Sequence, residues 1–135
     1  MNRNNHESIR SGKFTPNPPQ FMEAGFKLIG RNINNIESEK TRDRMFRANF
    51  GTSSEIASIA WKKIVMYSIA AFLLTAHHTH FLWALHFLKN YNSENVSASF
   101  AGVDEKTWRL WTWRMIIEIH NLHSRVVRYT VKLYY

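Results

Sequence analysis

An all-α fold is what this sequence predicts: a small helical bundle that contains a helix-turn-helix and carries a disordered basic arm at its N-terminus. Three observations lead there. Apolar residues recur at helical spacing in several windows along the chain and alternate with polar ones only near its end. Capping residues and glycines punctuate those windows at helix-like intervals. The stretch from Glu94 to Arg114, ENVSASFAGVDEKTWRLWTWR, reads as two helices joined by a tight turn at Gly102.

The elements follow in order. Residues 1–20 are polar and basic and end in Thr15-Pro16-Asn17-Pro18-Pro19-Gln20, where three prolines in four positions argue against a helix. Residues 21–36 form at most a short helix, interrupted at Gly25 and Gly30, so residues 1–39 are assigned to a largely disordered arm. The helical domain is placed at 40–123. Lys40 to Phe50 predicts a short helix with Met45, Phe46 and Phe50 inward and Gly51 at its end. Thr52-Ser53-Ser54-Glu55 has the form of a capping box led by Thr52. The helix after it reaches about Tyr67, with Ile56, Ile59, Ala60, Ile64 and Tyr67 as its core positions.

Between Lys63 and Lys89 there is no charged side chain, which is long enough for one bilayer span over 64–88. His77, His78 and His80 interrupt the run, and two shorter helices are preferred to a span. The second of them covers about His80 to Tyr91, with Phe81, Leu82, Leu85 and Leu88 on one face. A further helix starts at Ser93 or Glu94. Asp104 caps the last one, which runs to about His123. Residues 124–135, alternating and β-branched, read as a strand-like or truncated tail.

Composition bounds the function. One domain fits in 135 residues, and 44% hydrophobic and 14% aromatic content allows a core. The absence of cysteine excludes disulfides, iron–sulfur clusters, thiolate-bound zinc and thiol nucleophiles. The polar N-terminus is no signal peptide, which points to an intracellular protein and leaves the sequon at Asn95 without meaning. A net charge of +8 favours a polyanionic partner, nucleic acid or an acidic membrane surface, and serves solubility equally well. No phosphate loop, nucleophile elbow or paired carboxylate suggests an enzyme, and no cofactor is expected. His77, His78, His80 and His86 lack the ligands of a metal shell and are read as loop and cap residues, so no metal site is assigned.

The functional signal is the turn at Gly102. Ala98, four residues earlier, lets a second helix approach, and Trp108, six residues later, fills the gap; Val103 and Trp111 complete the core of the motif. On the last helix Trp108, Trp111, Thr112, Met115, Ile119 and Leu122 share an inner face. Lys106, Arg109, Leu110, Trp113, Ile117 and His120 lie opposite, with Arg114 beside them and Thr107 at the edge. A recognition helix presents its first turns to the major groove of double-stranded DNA. Lys106, Thr107, Arg109 and Arg114 are therefore the DNA-binding candidates. An ordinary hairpin with a solvated face has the same spacing. Leu110, Trp113 and Ile117 are too apolar for a free surface and imply a further partner, a second copy or a missing domain.

The motifs also carry a resemblance. Leu82-Trp83-Ala84-Leu85, Phe87-Leu88-Lys89 and Tyr91, followed by Gly102-Val103-Asp104-Glu105-Lys106-Thr107-Trp108-Arg109-Leu110-Trp111, resemble the N-terminal helix-turn-helix region of DDE-superfamily transposases of the Harbinger-like and insertion-sequence kind. Residues 46–64 resemble the start of that region, while 65–79 and the end from His123 depart from it. The resemblance implies binding of transposon-end DNA, a nuclear location and a nuclease domain after the helix-turn-helix. Only 13 residues follow Leu122, so no acidic triad is carried over and a non-catalytic, transposase-derived module is expected, or a transposon fragment without function.

Overall fold

A computed structural model describes residues 16–68 and 75–134, with side chains as far as His123. The described chain is all helical and forms a small bundle. Its helices are α1 (Pro18–Ile29), α2 (Glu39–Phe50), α3 (Ser54–Tyr67), α4 (His78–Asn90), α5 (Glu94–Ala101) and α6 (Glu105–Tyr134), with a 3-10 turn at Ile33–Asn35. The expected disorder of residues 1–15 and the connection 69–74 lie outside the described residues.

The prolines start α1 instead of excluding it. Pro18 and Pro19 occupy the first turn, where a helix has no use for the missing N–H groups. Asn17 closes a reciprocal box with Gln20: the Gln20 N–H donates to Asn17 Oδ1 at 2.9 Å, and the Asn17 N–H donates to Gln20 Oε1 at 2.8 Å. Gly25 does not interrupt the helix. A Cβ there would lie 2.6 Å from the Phe46 ring, so glycine is what lets α1 settle against α2. Phe21, Met22 and Phe26 are buried in the main core. The expected border between arm and domain at residue 40 is therefore wrong: α1 is part of the bundle.

Ser38 caps α2, and Gly51, at φ +76°, ends it as expected. Phe46 and Phe50 are buried. The next cap is shifted by one residue, because Ser53 and not Thr52 accepts the Ile56 N–H, at 3.1 Å. The inner face of α3 also differs from expectation. Ala57, Trp61, Ile64 and Val65 are buried, whereas Ile56, Ile59 and Tyr67 are each more than half exposed. Apolar residues surround this helix on most sides, so spacing alone did not select a face. Burying the Trp61 indole removes more apolar area from water than burying either isoleucine.

The uncharged run does not form one helix over 64–88. Helix α3 stops at Tyr67, Ser68 is extended at ψ 141°, and α4 begins only at His78. Among the described residues no helix is long and apolar enough to cross a membrane. Phe81 on α4 meets Phe21 at 6.3 Å and Trp61 at 5.7 Å between ring centroids, which ties α1, α3 and α4 into one core with Leu82 and, from α6, Met115.

The C-terminal tail is not a strand. The backbone of α6 stays helical to Tyr134. A lone strand would leave its N–H and C=O groups unpaired, whereas a continued helix bonds them internally.

Candidate nucleic-acid interface

The turn between α5 and α6 is built from backbone hydrogen bonds. The Gly102 N–H donates to the Ser99 carbonyl and the Val103 N–H to the Ala98 carbonyl, each at 3.1 Å. This pair of bonds is the Schellman arrangement, and it needs a left-handed residue at its centre. Gly102 supplies φ +75°. No atom lies within 4 Å of a Cβ placed there, so glycine is required by conformation and not by space. Ser93 caps the start of α5 through the Val96 N–H. Across the turn Asp104 accepts from both the hydroxyl and the N–H of Thr107, which holds its carboxyl below the usual range.

A second small core sits behind this turn. Trp83, Ala98 and Trp108 are buried together, with Phe87, Val103 and Trp111 packed around them. Ala98 admits α6 closely, and Trp108, 1% exposed, fills the space and meets the Phe87 ring at 5.4 Å. Ala98, Gly102, Val103 and Trp108 thus stand together as the motif requires. Trp111 is half-buried at the rim, stacked on His80 at 4.1 Å with an interplanar angle of 7°.

The outer face of α6 is arranged as its spacing predicts: Lys106, Arg109, Leu110, Trp113, Ile117 and His120 are all exposed. The four DNA-binding candidates differ in their present engagements. Lys106 is exposed on the first turn. Thr107 is half-buried and tied to the Asp104 cap. Arg114 is half-buried, with its guanidinium 5.3 Å from the centroid of the Trp111 ring. Arg109 is exposed but grips Glu94 with two prongs, Nη2 to Oε2 at 2.6 Å and Nε to both carboxylate oxygens at 3.1 Å. That bond lowers the Glu94 carboxyl and raises the guanidinium. It staples the start of α5 to the second turn of α6.

A second cationic feature escaped the reading of the sequence. Lys40, Arg44 and Arg47 are exposed on α2 at i, i+4 and i+7, one stripe of a helix. They line an open groove of about 560 Å³ with Thr41 and Asp43. The i, i+4, i+7 spacing is present in the sequence, where it is interleaved with the apolar positions Met45, Phe46 and Phe50.

The histidines serve the fold. His77 caps α4, accepting the Thr79 N–H at 3.2 Å, while its own N–H donates to His80 Nδ1 at 3.0 Å. His78 lies 5.3 Å from the Phe21 ring, and His80 lies between Trp83 and Trp111. Burial, followed by the neighbouring imidazoles, pushes both His78 and His80 down to about 4. His86 stacks on Phe100 at 3.7 Å. Among the described residues no group of three or more His, Asp or Glu is placed to hold a metal ion. Comparison of the chain with protein-family models, curated proteins and solved structures returned no match.

Proposed function

We propose that the chain is a non-catalytic, DNA-binding helix-turn-helix module, derived from the region that precedes the nuclease domain in DDE-superfamily transposases, and acts in the nucleus. The observation that carries this reading is the pair α5–α6. Its turn is set by Gly102, Ala98 and Trp108 pack together in the core behind it, and its exposed first turns carry Lys106 and Arg109. Such a helix start offers side chains to a major groove and cations to phosphate. The net charge of +8 and the stripe on α2 add sequence-independent attraction.

The Arg109–Glu94 pair shapes the test. An exposed ion pair holds weakly against solvent and salt. A guanine edge or phosphate can take the guanidinium over, but Glu94 then remains as a repulsive charge. Duplex binding should fall steeply with salt. Arg109→Ala should weaken a selected site roughly ten- to hundredfold and blur one base position, the size of a lost base contact. Glu94→Gln should tighten binding at low salt. Deleting residues 1–15 should weaken all sequences about equally. Fluorescence anisotropy on selected and random duplexes across a salt series measures all four. Negligible binding at low salt, or an Arg109→Ala effect equal on both duplexes, would reject the specific reading.

A further inference from the structure

Helix α2 carries an arginine that the fold uses and three cations that it does not. Arg42 is half-buried, and its Nε donates to the Ile36 carbonyl at 2.6 Å. Lys40, Arg44 and Arg47 share another side of the helix and are exposed, and among the described residues none of them has an ion pair or a hydrogen bond through its side chain. Asp43, at the edge of the same groove, is half-buried and forms no ion pair with them.

This placement works against the helix. Lys40 and Arg44 are like charges at i and i+4, which repel. Lys40 also stands in the first turn, where the positive end of the helix dipole disfavours a cation. Three cations so placed are satisfied only by an anion from outside.

What borders the stripe narrows that anion. Among the described residues the exposed large apolar side chains lie on α3, α5 and α6 and at Tyr91, and none is on α2. Otherwise the groove of about 560 Å³ is lined by the short side chains of Thr41 and Asp43. A bilayer surface or an amphipathic helix binds through apolar contact as well as charge, and this face offers none. A phosphodiester backbone is held by charge and forked hydrogen bonds alone. Two of the three cations are arginines, whose planar fork matches a phosphate. The spacing agrees as well. From Lys40 to Arg47 the helix rises about 10 Å, a length over which one strand of a duplex carries about three phosphates.

The stripe is also a surface of its own. Helix α2 packs mainly on α1, α3 and α4, whereas α6 packs mainly on α3, α4 and α5.

We infer that Lys40, Arg44 and Arg47 form a second nucleic-acid site, which holds consecutive phosphates of one strand without regard to sequence or strandedness. The inference rests on nucleic acid being the partner of the chain, and not on α6 reading bases. It gives the chain a hold on nucleic acid wherever α6 has no site to read.

The test uses the full chain, the triple replacement Lys40→Gln, Arg44→Gln, Arg47→Gln, and Arg109→Ala. Fluorescence anisotropy across a salt series gives affinity and salt slope on a selected duplex, a random duplex and a random single strand. Each phosphate contact contributes about 0.9 to the slope on a duplex and about 0.7 on a single strand. The triple variant should therefore lose about 2–3 units of slope on both duplexes and about 2 on the single strand, and should bind all three roughly tenfold or more weakly at low salt. Its circular dichroism and melting temperature should hold. An unchanged slope, a loss confined to the selected duplex, or a clear fall in melting temperature overturns the inference. So does polyglutamate or a phosphatidylserine vesicle that displaces the random duplex as well as unlabelled duplex does at equal charge concentration. Arg109→Ala separates the two surfaces, because it should weaken the selected duplex more than the random one. An Arg109→Ala effect equal on both counts against α6 and leaves the slope change of the triple variant standing.

Discussion

Replacing Trp108 by alanine is expected to cost about 3–5 kcal/mol of unfolding free energy, the range for removing a fully buried large aromatic. The side chain is 1% exposed and stands where α4, α5 and α6 meet, against Trp83, Ala98 and Phe87. Ala98 and Ala101 of α5, a short helix capped at both ends by Ser93 and Gly102, pack in the same cluster, and their methyl groups are too small to fill the void. Urea denaturation followed by circular dichroism measures the loss. Trp108→Phe should lie between the two. A cost for Trp108→Ala below about 1 kcal/mol would mean that the second core does not hold the turn.

A chain begun at Lys40 should fail to fold. It would lack α1, and with it Phe21, Met22 and Phe26 from the main core. Each buried side chain of this size contributes roughly 1.5–3 kcal/mol. Three of them together approach the 5–15 kcal/mol that holds a typical domain. The same deletion also uncovers Phe46, Phe50 and Phe81, which pack with α1 in that core. A chain begun at residue 16 keeps the Asn17 cap and all of α1 and should melt cooperatively. Thermal melts of the two truncations decide the point. A cooperative melt from the shorter chain would show that α1 is dispensable.

Much of the architecture was legible in the sequence where one signal had no rival. Gly51 and Gly102 end their helices in the left-handed conformation as read, and the outer residues of α6 are exposed as read, since its two faces differ sharply in polarity. The reading failed where local rules competed. Prolines forbid a helix interior but favour its first turn, and Asn17 with Gln20 was the cue that separated the two cases. Gly25 weakens a helix in isolation, yet tertiary contact with Phe46 requires it. Along α3 both faces were apolar, and only the three-dimensional place of Trp61 chose between them. Of the candidate site, the turn and its core were legible. The grip of Glu94 on Arg109 was not, because the two residues lie fifteen apart on different helices and neither periodicity nor spacing pairs them.

The imidazoles at the head of α4 give the bundle an acid-labile seam. His78 and His80 are held neutral down to about pH 4, whereas in the unfolded chain they take up protons near 6.5. Between those values the unfolded chain binds protons that the folded chain refuses. Above pH 6.5 both forms are neutral and these rings leave stability unaffected. From there down to pH 4 stability drains away, and below 4 the loss is complete. With the rings about half open to solvent, the discounted total is on the order of 2 kcal/mol. Glu94 and Asp104, whose carboxyls are lowered, add their own losses only at more acidic pH. Denaturation midpoints at pH 7.5 and 4.5 should differ accordingly, and a double replacement of His78 and His80 by glutamine should flatten the slope between them. Because His78 lies against Phe21 and His80 between Trp83 and Trp111, acid would first loosen the junction where α1, α4 and α6 meet and, through the two tryptophans, the small core behind the turn at Gly102.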